Sequence, residues 1–158
     1  MIFRDPVEPA GEGEYRLRLS DGERELLRAL PAELRALLDT DPGAPALRRL
    51  FPPAHAEDAE AEAGYRELMG AELLQERRAA LALVEETAGR DLLTAGELDA
   101  WLRALTDLRL VLGTRLGVTE ETYAEEIDPT DPRARELAVF AYLTWLQEAL
   151  VAAVSGKP

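Results

Sequence analysis

Three arginines stand six residues apart in the run "WLRALTDLRLVLGTRL" (residues 101 to 116): Arg103, Arg109 and Arg115. Guanidinium groups bind carboxylates, phosphates and carbonyls, so this run holds an anion site, a partner contact or a set of internal fasteners. At about 100° per residue, a six-residue spacing turns each arginine about 120° from the last, which forms no stripe for nucleic acid. On the same projection Trp101, Leu102, Leu105, Leu108, Leu112 and Leu116 share one arc. Arg109 falls between Leu102 and Leu116 and Arg115 between Ala104 and Leu108, whereas Arg103 and Asp107 share the polar side. Two arginines are therefore expected in the packed face. There a guanidinium needs fixed acceptors, such as Asp107, Glu148 or a helix-end carbonyl, because burying an unpaired charge is costly. The alternative is that Arg109 and Arg115 line a pocket for an anionic ligand.

Other reactive groups are sparse. Ser20 reads as a helix cap and Ser155 falls in the C-terminal tail, which leaves no serine for a Ser/His/Asp site. The single histidine, His55, precedes Glu57 and Asp58, and one imidazole among solvated acids is too little to expect a metal. "GEG" at residues 11 to 13 opens no glycine-rich phosphate loop. Cysteine is absent, which excludes disulfides, thiolate metal sites and a thiol switch in this chain. No catalytic residue and no cofactor is expected, and the chain reads as a non-enzyme.

The elements that must position these residues are mainly helical. "EYRLRL" (14 to 19) alternates with period two and could pair with "IFR" (2 to 4) across a Pro/Gly-rich connection, giving a small N-terminal β-hairpin within residues 1–19. Ser20 with Glu23 and Thr94 with Glu97 form capping boxes that open two helices. Pro31 predicts a kink or two abutting helices in the first. "ALRRLFPP" reads as a short helical segment, and residues 57 to 87 as a helix interrupted at Gly70. The helix from about 95 to 116, apolar over half its circumference, is expected at the centre of a single-domain bundle spanning residues 1–158. Gly117 suits a left-handed stop with Val118 as the apolar contact beyond it. "TEET" (119 to 122) suggests a short helical turn, "DPTDP" (128 to 132) ends it, and Pro132 suits the first turn of a last helix reaching about Val154, with residues 155–158 as a flexible tail. Aromatic residues Trp101, Tyr65, Tyr142 and Trp145 are core or self-association anchors.

Acidic residues number 31 against 18 basic ones, a formal charge of −13, so the surface repels phosphates and anionic lipid and neither direct DNA binding nor a membrane is expected. The N-terminus lacks the basic start and apolar stretch of a signal peptide, and no run comes close to the roughly 18 apolar residues of a span, so the cytoplasm is the expected location.

Over nearly the whole chain, "LLRALPAELRALLD", "LRRLFPPAHAEDAEAEAGYREL", "WLRALTDLRLVLGTRLGV" and "YLTWLQEALV" resemble an actinobacterial domain-of-unknown-function family of AosR-type oxidative-stress transcriptional regulators. The most specific part is W-L-x-x-L-x-D-L-R-L-x-L-G-T-R-L. The resemblance implies a small regulator working through a protein partner, a sigma factor or RNA polymerase subunit, and a Cys-x-x-x-Cys redox sensor. That sensor has no counterpart in this cysteine-free chain. It also implies a genetic link to the adaptor of the Clp protease, so an accessory role in proteolysis is the alternative. Trp101, Asp107, Arg109, Arg115, Trp145 and Glu148 are the residues expected to serve structure or partner binding.

Overall fold

The computed structural model describes residues 5–41, 43–50, 59–118 and 128–156, with the side chains of 59–69 and 71 left aside. Among them, strands β1 (Val7–Gly11), β2 (Glu14–Leu17) and β3 (Leu92–Thr94) form an antiparallel sheet in the order β1-β2-β3. Four helices accompany it: α1 (Asp21–Thr40), α2 (Ala59–Thr87), α3 (Ala95–Leu116) and α4 (Ala134–Ser155). A 3-10 turn, Pro45–Leu47, lies between α1 and α2. The fold is mainly α with a small N-terminal sheet.

The hairpin forms from a different pair of segments than the alternation suggests. The Pro/Gly-rich "VEPAG" is itself the strand, with Val7 opposite Leu17 and a register shift between Pro9 and Gly11. The other edge of β2 pairs with β3, and "IFR" lies outside the described residues. Gly11 and Gly13 take positive φ, 134° and 74°, which only glycine reaches cheaply in this tight reversal.

Both capping boxes form, Ser20 with Glu23 and Thr94 with Glu97, each side chain bonding the other residue's backbone N–H. Pro31 does not divide α1 into two helices. It is buried inside one continuous helix whose Leu27, Leu34 and Leu38 face the core. Gly70 does not interrupt α2 either. At Pro31, buried against the core, tertiary contacts outweigh a local cost on the order of 3 kcal/mol. Gly117 stops α3 in the left-handed region at φ 65°, and Val118 N–H donates to the Gly113 carbonyl at 3.0 Å. The "TEET" segment lies outside the described residues. Helix α4 starts at Ala134 with Arg133 as its cap residue, so Pro132 precedes the helix instead of sitting in its first turn.

Helices α1 and α2, α2 and α3, and α3 and α4 pack in succession. Helix α3 touches every other helix, the 3-10 turn, β2 and β3, and buries Leu98, Trp101, Ala104, Leu105, Leu108, Val111 and Leu116. It is the central helix, as its breadth of apolar residues implies. Helix α4 corrects the expectation that nothing in the chain reaches membrane-span character, since an 18-residue window within it has a mean hydropathy of 1.6. One side of it, Leu143, Leu146 and Leu150, is fully buried in the core.

Because Thr94 closes β3 and caps α3, its loss acts on both elements. Thr94→Ala should cost about 1 kcal/mol in urea unfolding, with Ser155→Ala as a near-neutral control.

Candidate functional site

Asp107 is one of two polar residues buried in the core among the described residues, 5% exposed. Its partner is neither Arg109 nor Arg115. Arg77, reaching across from α2, forms the ion pair with Asp107, and its second terminal nitrogen donates to the Leu50 carbonyl at 3.0 Å. One guanidinium thus ties α2 to α3 and to the segment that follows the 3-10 turn. Burial pushes the Asp107 carboxyl above the ordinary carboxylate range, and the hydrogen bond from Arg77 pulls against that shift.

Arg109 is half-buried and bonds a neutral partner. It donates to Gln147 Oε1 at 2.5 Å, and Gln147 Nε2 donates to Thr106 Oγ1 at 2.6 Å. The guanidinium also lies 5.5 Å from the Phe140 ring centroid, within cation–π range. All these contacts cross between α3 and α4. Gly113 permits the close approach there, because a Cβ at that position would come 3.2 Å from the Phe140 ring.

Arg115 is not in the packed face. Its side chain is 55% exposed, and it sits 3.6 Å from Glu136, itself 48% exposed, a pair of little energetic consequence. The physical reason is a cleft of about 80 Å³ between α1, α3 and α4, lined by Leu30, Leu34, Leu37, Leu112 and Leu143, with Arg115 and Glu33 also on its wall. Helical projection fixes a direction, but in that direction the neighbouring helices leave a gap. Arg103 is exposed and 3.5 Å from Asp99, as its polar side implies.

Trp101 is fully buried and its indole N–H donates to Thr87 Oγ1 at 2.7 Å. Trp145 is 39% exposed, with the Tyr142 ring 5.8 Å away, and Glu148 is exposed on the same helix. Val151 and Val154 add to the apolar surface of α4. His55 and Tyr65 fall outside the described side chains.

Sequence reasoning missed three arginines that tie separate segments together. Besides Arg77, Arg24 donates to the carbonyls of Leu19, Ala88 and Arg90 and pairs with Asp91 at 3.1 Å. Arg35 holds Glu85 through two bonds of 2.5 and 2.8 Å, joining α1 to α2. Apart from the Leu19 carbonyl, each partner lies at least 27 residues away, beyond any local pattern.

The fold and these contacts define a small helical protein whose interior polar groups are spent on one another and whose α4 presents aromatic and aliphatic surface. The chain belongs to the family described as a domain of unknown function, DUF2017, which matches residues 4–154. It is similar to proteins named oxidative stress regulator AosR from Mycobacterium tuberculosis and Mycobacterium bovis, each 33% identical over 133 residues, covering 73% of this chain and 61% of the relative. A putative oxidative stress regulator AosR from Mycobacterium leprae is 32% identical over 130 residues, covering 72% and 59%. The chain therefore spans about three fifths of the length of these curated relatives. No solved structure matches.

Two measurements check the energetics. Arg77→Met leaves the Asp107 carboxylate buried without its cation and should cost about 3 kcal/mol at neutral pH. Without that cation the folded carboxyl lies further above its unfolded value, so the folded state binds the extra proton. The penalty should then be smallest below the ordinary carboxylate range, grow as pH rises from there toward the raised folded value, and level off above it. Denaturant melts at several pH values, with Arg77→Met/Asp107→Asn as the rescued partner, read this directly. In the second comparison, Arg109→Met should lose about 1 to 3 kcal/mol, whereas Arg115→Met and Arg103→Met should stay within about 0.5 kcal/mol of the parent.

Proposed function

We propose that this chain is a non-enzymatic cytoplasmic regulatory protein that acts through protein–protein contacts made by the exposed side of α4. The observation that carries the reading is Trp145, 39% exposed on an apolar helix face with Tyr142 against it. Aromatic residues of this kind anchor interfaces because they bury large area at little entropic cost. A non-catalytic role is supported by the commitment of Asp107, Arg109 and Trp101 to internal partners. The regulatory class is supported by relatives named oxidative stress regulators. A sigma factor or RNA polymerase subunit is the partner implied by the AosR-type resemblance, and a net charge of −13 suits the basic surfaces of such proteins while disfavouring DNA itself. The missing cysteines take thiol oxidation in this chain out of the mechanism.

A second reading is favoured by one observation, the apolar cleft that reaches Arg115. A small anionic ligand could seat its apolar part among the leucines and its charge on that guanidinium.

Retention of the chain on purified RNA polymerase holoenzyme tests the main reading. Trp145→Glu should weaken retention at least about tenfold while Arg115→Met leaves it unchanged. Equal retention of Trp145→Glu and parent would remove α4 as the contact surface. Loss on Arg115→Met alone would move the function to the cleft.

A further inference from the structure

We infer that the cleft between α1, α3 and α4 binds a free amino acid with a branched aliphatic side chain, its carboxylate on Arg115, its ammonium on Glu33 and its alkyl group among the leucines. The inference rests on the reading of that cleft as a ligand site and names the chemical class of the ligand.

The cleft is a product of the order in which the helices pack. Helix α1 packs on α2, α2 on α3 and α3 on α4, which leaves the seam between α1 and α4 open over α3. Leu34 and Leu37 from α1, Leu112 from α3 and Leu143 from α4 line that seam. Leu34 and Leu143 are buried, Leu37 and Leu112 half-buried. Such walls hold water poorly, and an alkyl group entering removes apolar surface from water on both sides. The volume is about 80 Å³. An apolar cavity of about 150 Å³ admits benzene, so this one suits a branch of about four carbons and not a ring.

The charges select among amphiphiles. Glu33 and Arg115 share the wall and both are exposed. Among the described residues Glu33 has neither ion pair nor hydrogen bond, and Arg115 has only the loose pair with Glu136 at 3.6 Å. A guanidinium carries five N–H donors, so that pair leaves room for a ligand carboxylate beside it. A simple anion would meet one cation flanked by two carboxylates, on a chain of charge −13 that repels it from a distance. An alkylammonium would meet Arg115 itself. A zwitterion escapes both conflicts, because its net charge is zero and it offers a carboxylate to the guanidinium and an ammonium to the acids. An α-amino acid carries both charges on the carbon that bears its side chain. The polar end then stays at the mouth, reached by Glu33 from α1 and Arg115 from α3, while the branch enters the leucines.

Methyl NMR on the isotopically labelled chain at neutral pH, with unlabelled probes, tests this. L-leucine titrated to about 10 mM should shift the methyls of Leu34, Leu37, Leu112 and Leu143. Two probes each lack one charge: 4-methylpentanoate is leucine without the ammonium, and 3-methylbutylamine is leucine without the carboxylate. Each should bind at least about tenfold more weakly than leucine, and so should phenylalanine. Glu33→Gln should bring leucine down to the level of 4-methylpentanoate, and Arg115→Met to that of 3-methylbutylamine, with melts unchanged because both residues are exposed. Equal or tighter binding of 4-methylpentanoate to the parent would overturn the zwitterion while keeping the cleft as an anion site. Tightest binding of 3-methylbutylamine would overturn both, as would the absence of any shift with every probe. Leucine binding that survives Glu33→Gln or Arg115→Met undiminished would overturn the assignment of its charges to those residues.

Discussion

Enclosure of α3 is the constraint from which the rest of the structure follows. A helix with Leu98, Trp101, Leu105, Leu108 and Val111 on several sides must be covered on all of them, and α2, α4, the 3-10 turn and the sheet supply the cover. Enclosure also governs its polar residues. Asp107 has no water to turn to and takes Arg77 from α2, Trp101 takes Thr87 from α2, and Arg109 takes Gln147 from α4. These bonds serve less to add net stability than to forbid other packings, because a neighbour in the wrong register would strand a buried donor or acceptor.

What could be read from the sequence was local. Both capping boxes, the left-handed stop at Gly117 and the centrality of α3 depend on residues within a few positions of one another, and they formed as read. The misreadings share a different origin. Pro31 carries a local cost that core contacts override, and α2 runs on through Gly70. Strand β3 is three residues, "LLT", too short to show alternation, and β1 contains Pro9 and a register shift. Arg115 was misplaced because an angle on a helical wheel does not say whether a neighbour fills that direction. The acceptors of Arg77, Arg24 and Arg35 could not be found at all, since they depend on which helices meet.

The exposed face of α4 was half legible. Tyr142 and Trp145 stood out as aromatic residues on the last helix, but an apolar circumference does not tell the buried side from the exposed one. The fold resolves that by placing Leu143, Leu146 and Leu150 against the core and turning Trp145 outward. Membership of the DUF2017 family and similarity to oxidative stress regulators from mycobacteria then meet a chain without cysteine. Oxidation of a thiol within this sequence is therefore not available as a signal.

The three-stranded sheet has a kinetic consequence. Glu14 pairs with Thr94, 80 positions later in the chain, and Arg24 fastens the turn before β3 by its carbonyls. The hairpin of β1 and β2 can close by itself early, but its third strand arrives only after α1 and α2 have been made and folded back. Closing so long a loop carries an entropic cost before any contact repays it. The third strand is therefore expected to join late, completing a sheet that lies against α3 and α4.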